Sequence, residues 1–227
     1  MPVQLWSPLL TTLLLVLALT PLSLLAMSSR ARWPLYRFLL WPGLVVHEMS
    51  HALMAKIWGA KIKEIALFEK NGGYVTYSAP RFPLVADFFI GIAPIPGGLI
   101  MLALLSWALL GTETLQATLQ ITETPFAVEK WNDFFNSINW LDWRPWLLIT
   151  IFANAGVALA PSWQDISNGK WAWIFLFLIA LMSLWFPFLT DHVWLERLNG
   201  VLMLTACAFG CTALVWWILD RIFPNRT

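Results

Sequence analysis

His47, Glu48 and His51 stand together in the stretch WPGLVVHEMSHALMAKIWG, residues 41 to 59. On a helix, positions i and i+4 share a face, so the two imidazoles can turn their nitrogens toward one metal ion. Glu48, next to them, can reach a water at that ion without being a ligand itself. Two ligands and a base within five positions form the zincin arrangement, in which Zn2+ makes water a nucleophile and the glutamate takes its proton. The surrounding residues are apolar enough for a lipid bilayer, where ionisable groups are costly unless an ion or a cavity compensates them. The plain alternative is a set of polar packing residues satisfied by neighbouring helices.

Zinc chemistry needs a third protein ligand and leaves one position open. Of the three histidines in the chain, only His192 is left over. Asp165, in ANAGVALAPSWQDISNG, is the best-placed carboxylate. The apolar run before it is short and stops at Pro161, so a break there can turn an acidic side chain back toward the second span. Ser162 and Asp165 also fit the S-x-x-D capping pattern, in which Asp165 only starts a helix. Asp87, near the start of the third span, and the pair His192 and Glu196 rank below it. Asn154 is a candidate catalytic residue that can donate a hydrogen bond to a developing oxyanion. Equally, it can join two helices through a polar contact.

The elements that must position these groups follow from composition. The 227 residues are 59% hydrophobic and only 12% charged, with a mean hydropathy of +0.68. This predicts an all-α integral membrane protein, multi-pass, folded as one domain over residues 1–227 with its core at 38–170. Six apolar runs, at 4–27, 38–60, 84–110, 146–161, 171–189 and 198–219, are candidate spans. The first lacks a basic flank and is longer than a signal-peptide core, so it reads as a retained helix. The Pro94, Pro96, Gly97, Gly98 cluster must break the third span, which membranes tolerate where protein or a cavity satisfies the freed backbone.

Between the second and third spans, Asn71-Gly72-Gly73 is flanked by Ile65 and Leu67 on one side and Tyr74, Val75 and Tyr77 on the other. This is a β-hairpin signature, either a plain surface loop or an exposed edge able to pair with an extended peptide. KWNDFFNSINWLDWRPW suits a helix lying in the interface, and the sixteen tryptophans suit interfacial belts. With both termini inside, eight of the fourteen Lys and Arg, among them Lys56, Lys61 and Lys63, face the cytoplasm, a slight preference for that orientation. The net charge of +1 and the lack of a basic tract exclude nucleic acid as a partner. Cys207 and Cys211, one turn apart on one helix, are badly placed for a disulfide and read as packing residues.

The stretch PGLVVHEMSHALMAKIWGAKIKEIALF, followed by a β element and a carboxylate after the fourth span, resembles the site-2 protease family of intramembrane zinc metalloproteases. The resemblance implies that His47 and His51 are zinc ligands and Glu48 the catalytic base. It further implies a membrane-spanning protein substrate reached through the lipid bilayer, with a bacterial-type plasma membrane as the expected location. The family's Asn-x-x-Pro and Leu-Asp-Gly motif is matched loosely here, by Asn154, Pro161 and Gln164-Asp165-Ile166. Two rivals remain open. One is a membrane zincin whose third ligand is a glutamate such as Glu196 or Glu69; the other is a metal-binding scaffold without catalysis. Three histidines are too few for a histidine-box di-iron enzyme.

Overall fold

The structure, a computed structural model, describes residues 7–30, 34–69, 72–122, 139–168, 170–184 and 193–222. Helices α1 (Pro8–Arg30) and α2 (Pro34–Ile57) lead into a hairpin of β1 (Ile62–Glu69) and β2 (Gly72–Tyr77). Then come α3 (Pro83–Ile92), α4 (Pro94–Thr122), α5 (Arg144–Leu159), the short α6 (Trp163–Asn168), α7 (Lys170–Met182) and α8 (Val193–Ile222). The protein is a helical membrane protein with one small sheet. Among the described residues, three stretches are long and apolar enough to cross a bilayer: Val85–Ala108, Arg144–Ser167 and Leu195–Leu219. The segment 123–138, holding most of the expected interfacial helix, lies outside the described residues.

The third expected span breaks where its prolines demand. Helix α3 ends at Ile92 and α4 starts at Pro94, with Ala93 between them still in the right-handed region. Proline has no N–H to give to the carbonyl four residues back, so Pro94 leaves the Ile90 carbonyl without its regular helical donor. Helix α5 likewise stops at Leu159, and Ala160 turns to extended backbone (φ −67°, ψ 114°) ahead of Pro161. Residues before proline are pushed out of the helical region in this way.

Helix α5 is the most buried element, with every residue from Ile151 to Leu159 inside. Its approach to α2 is close because Gly43 has no side chain: a Cβ there would run into the backbone carbonyl of Asn154. Next to Gly43, Pro42 interrupts the ladder of α2, and the side chain of Asn154 fills in. Its Oδ1 accepts the Gly43 N–H at 3.1 Å, and its Nδ2 donates to the carbonyls of Leu39 at 2.8 Å and Thr150 at 2.9 Å. Gly43 and Leu39 are four apart, the pair that an undisturbed helix would bond directly.

Helix α1 is tied to the opposite side of the bundle by polar contacts worth most where no water competes. Thr12 Oγ1 donates to Asn199 Oδ1 at 2.6 Å, Asn199 Nδ2 donates to the Pro8 carbonyl at 2.9 Å, and the hydroxyls of Ser7 and Ser183 meet. Phe209 of α8 is fully buried, and a Cβ at Gly156 would strike its ring. Cys207 and Cys211, read as packing residues badly placed for a disulfide, are free thiols exposed on α8. With Phe209 pointing inward, residues two positions either side of it on a helix point away.

The hairpin forms as the Asn-Gly-Gly signature predicts: β1 and β2 are antiparallel, with Ile62 opposite Tyr77, Ile65 opposite Val75 and Ala66 opposite Tyr74. It packs on α2, beside the cavity described below. Replacing Gly43 by Val is expected to force α2 and α5 apart, costing about 2–3 kcal/mol by overpacking; a thermal unfolding series in detergent would measure it.

Candidate metal centre

The ring nitrogens of His47 and His51 are settled by the two chain breaks. His47 Nδ1 lies 3.1 Å from the carbonyl oxygen of Ala158, and His51 Nδ1 lies 2.7 Å from that of Ile90. A carbonyl only accepts, so both Nδ1 atoms carry their protons and both Nε2 atoms are left as bases. Local sequence makes both acceptors available, although the Ile90 carbonyl also accepts the Ala93 N–H at 3.3 Å. Ile90 lost its regular donor to Pro94, and Ala158 sits at the end of α5, where the Ser162 N–H turns to another partner. Metal-ligating histidines usually have the second ring nitrogen fixed in this manner.

That other partner is Asp165. Ser162 N–H donates to Asp165 Oδ2 at 2.7 Å, and Asp165 N–H donates to Ser162 Oγ at 3.1 Å, a reciprocal cap at the start of α6. The capping reading of Asp165 is borne out, and the cap leaves the carboxylate where the ligand reading needs it. The cap aims the carboxylate back at α2, where Oδ1 lies 3.1 Å from His51 Nε2 and Oδ2 lies 3.5 Å from His47 Nε2. The two Nε2 atoms are 3.2 Å apart.

Such a cluster of electron-rich atoms is repulsive unless a cation sits among them. Ligands held tetrahedrally at about 2.0–2.1 Å from zinc lie about 3.3 Å from one another, close to the 3.2 Å between the two Nε2 atoms, and each Nε2 has one carboxylate oxygen beside it, at 3.1 and 3.5 Å. His47, His51 and Asp165 therefore form a group able to hold a metal ion, and its two nitrogens and one carboxylate oxygen are donors zinc accepts. Both histidines are buried, and Asp165 is nearly so.

Glu48 is buried beside this group and, among the described residues, has no hydrogen-bond partner. An unpaired buried carboxylate costs free energy, so its retention at this place points to work done there. Strand β2 presses directly on it: a Cβ at Gly73 would lie 2.6 Å from Glu48 Cγ and 3.0 Å from the Ala66 carbonyl oxygen. Sequence reading found Gly73 only as a turn residue.

The centre opens into a cavity of about 450 Å³, walled by α2, β2, α3 and the turn into α6. Residues 9–185 match the family model of M50B-like peptidases. The chain belongs to the M50B-like peptidase family. This agrees with the resemblance to site-2 proteases carried by the first motif, and it covers most of the bundle, the hairpin and both parts of the centre. No curated protein and no solved structure matches the chain.

The remaining candidates stand apart from this M50B-like centre. Asp87 lines the cavity but contributes no atom to the metal-holding group. Glu196 is exposed on α8, and His192 and the side chain of Glu69 lie outside the described residues. Asn154, expected as an oxyanion donor, has both amide hydrogens committed to the Leu39 and Thr150 carbonyls. The orienting carbonyls of Ile90 and Ala158 were missed, although a proline four residues on marks the first.

Single alanine replacement of His47, His51 or Asp165 is expected to abolish stoichiometric zinc in the purified protein, read by elemental analysis. Ser162→Ala, which removes the hydroxyl that accepts the Asp165 N–H but keeps the Ser162 N–H bond to the carboxylate, is expected to weaken zinc binding by no more than about 10-fold, the lower end for groups that orient ligands.

Proposed function

We propose that this M50B-like peptidase is an intramembrane zinc metalloprotease that hydrolyses peptide bonds of membrane-embedded proteins. The observation that carries the reading is the convergence of His47 Nε2, His51 Nε2 and the Asp165 carboxylate beside the unpaired Glu48. When bound, zinc supplies Lewis acidity toward water and toward a peptide carbonyl. Glu48 accepts the proton of the attacking water and returns it to the leaving nitrogen, and its burial beside the two imidazoles keeps it at that task. The Nδ1 protons held by Ala158 and Ile90 keep both imidazoles facing the same point. Asn154 acts at one remove, holding α2 to α5 across the Pro42 break so that His47 meets the Ala158 carbonyl.

A transmembrane substrate must be unwound before its backbone can be attacked, and its freed N–H and C=O groups then need partners. Strand β2 pairs with β1 on one side only and lines the cavity from Gly73 to Tyr77. Its other edge supports pairing with an extended peptide through main-chain hydrogen bonds. The chain is read as six spans in a bacterial-type plasma membrane, with the scissile bond presented between β2 and the metal centre. We take Asp165 rather than a glutamate as the third ligand, because its carboxylate stands beside both imidazoles.

Glu48→Gln is expected to retain zinc while slowing cleavage of a reconstituted membrane-protein substrate by at least about 10³-fold, as loss of a general base does. Cleavage by the variant at the wild-type rate would remove Glu48 from the mechanism. Chelation with a zinc-specific reagent is expected to stop the wild-type reaction, and added Zn2+ to restore it.

A further inference from the structure

The charges facing the cavity do not balance. With zinc in place, its two positive charges are offset by Asp165 and Glu48, and the histidines are neutral. Asp87 is left over. It is half-buried on α3, lines the same cavity, and among the described residues has neither a hydrogen bond nor an ion pair. Neither lysine nor arginine is among the described residues that wall the cavity. Capping does not explain the residue either: α3 begins at Pro83 behind Phe82, without a side-chain cap.

Its position relative to the reaction is fixed by the helix. Asp87 stands three residues before Ile90, whose carbonyl orients His51, a rise of about 4.5 Å along α3. An extended peptide advances about 3.3 Å per residue, so a side chain reaching Asp87 belongs to a residue within about two positions of the bond at the metal. Tyr77, the last residue of β2, lines the same cavity, and its phenol is pushed up by burial first, then by the negative charges of Asp87 and Asp165. The hairpin edge, the metal centre and Asp87 thus face one volume.

We propose that Asp87 forms a subsite for a lysine or arginine side chain of the substrate, within two residues of the scissile bond. The inference rests on the protease reading and names the substrate class it takes: apolar segments interrupted or flanked by a basic residue. A cation there finds a carboxylate that, among the described residues, no basic side chain neutralises, in a cavity where the pairing is screened less than in open water. Lysine and arginine bury their apolar stems while carrying charge to such a site.

The test uses full-length zinc-loaded protein in detergent carrying Glu48→Gln, so that peptides bind without being cut. Labelled apolar peptides differing only in one residue, lysine or norleucine, at each of the two positions flanking a central bond on either side would be titrated by fluorescence anisotropy. At one of those positions the lysine peptide is expected to bind about 10-fold tighter than its norleucine twin, a modest desolvated charge pair. Adding Asp87→Asn should erase that difference while leaving norleucine peptides unaffected, and Asp87→Lys should transfer the preference to a glutamate peptide. Equal binding of lysine and norleucine peptides, or a lysine preference that survives Asp87→Asn, overturns the subsite and leaves the protease reading standing. Failure of every peptide to bind overturns both.

Discussion

Each imidazole of the candidate metal centre has one nitrogen committed to a backbone carbonyl, and each carbonyl stands where a helix is interrupted, the Ile90 one shared with the Ala93 N–H. Pro94 strips Ile90 of its regular donor, and the end of α5 ahead of Pro161 does the same for Ala158. In a bilayer an unsatisfied carbonyl is costly, and so is a histidine without partners. Each cost offsets the other. Were the helices continuous, the rings would have no fixed tautomer and nothing would hold both Nε2 atoms toward a common point.

The same interruption supplies the third ligand. Because α5 stops, the chain can turn, and the first residues after the turn need N-terminal caps. Ser162 and Asp165 provide them reciprocally, and the cap that starts α6 also points the carboxylate at α2. A single side chain therefore closes a helix terminus and completes a metal site. Asn154 repeats the logic without metal, its amide standing in where Pro42 breaks α2.

Much of this was legible. The i, i+4 pairing of His47 and His51, the hairpin around Gly72 and Gly73, and the break at Pro94 all depend on residues within a few positions of one another, where helix geometry and turn chemistry suffice. Asp165 was legible as a candidate because a proline precedes it, but choosing between cap and ligand was beyond the sequence, and the choice proved unnecessary. Which face of α8 carries Cys207 and Cys211 was not legible, because both sides of a long apolar helix look alike until Phe209 takes the inner one.

By itself, then, the sequence determined the chemistry on offer: two imidazoles on one helix face, a base beside them, breaks at fixed prolines, and a chain too apolar for water. Tertiary structure alone decided who meets whom. His47 reaches a carbonyl 111 residues away and His51 one 39 residues away. Local rules of propensity, capping and turn formation act over a few residues and carry no information across such separations. Only the packing of α2 against α3 and α5, set by the close approach at Gly43 and the volumes of side chains from distant segments, brings those partners within reach.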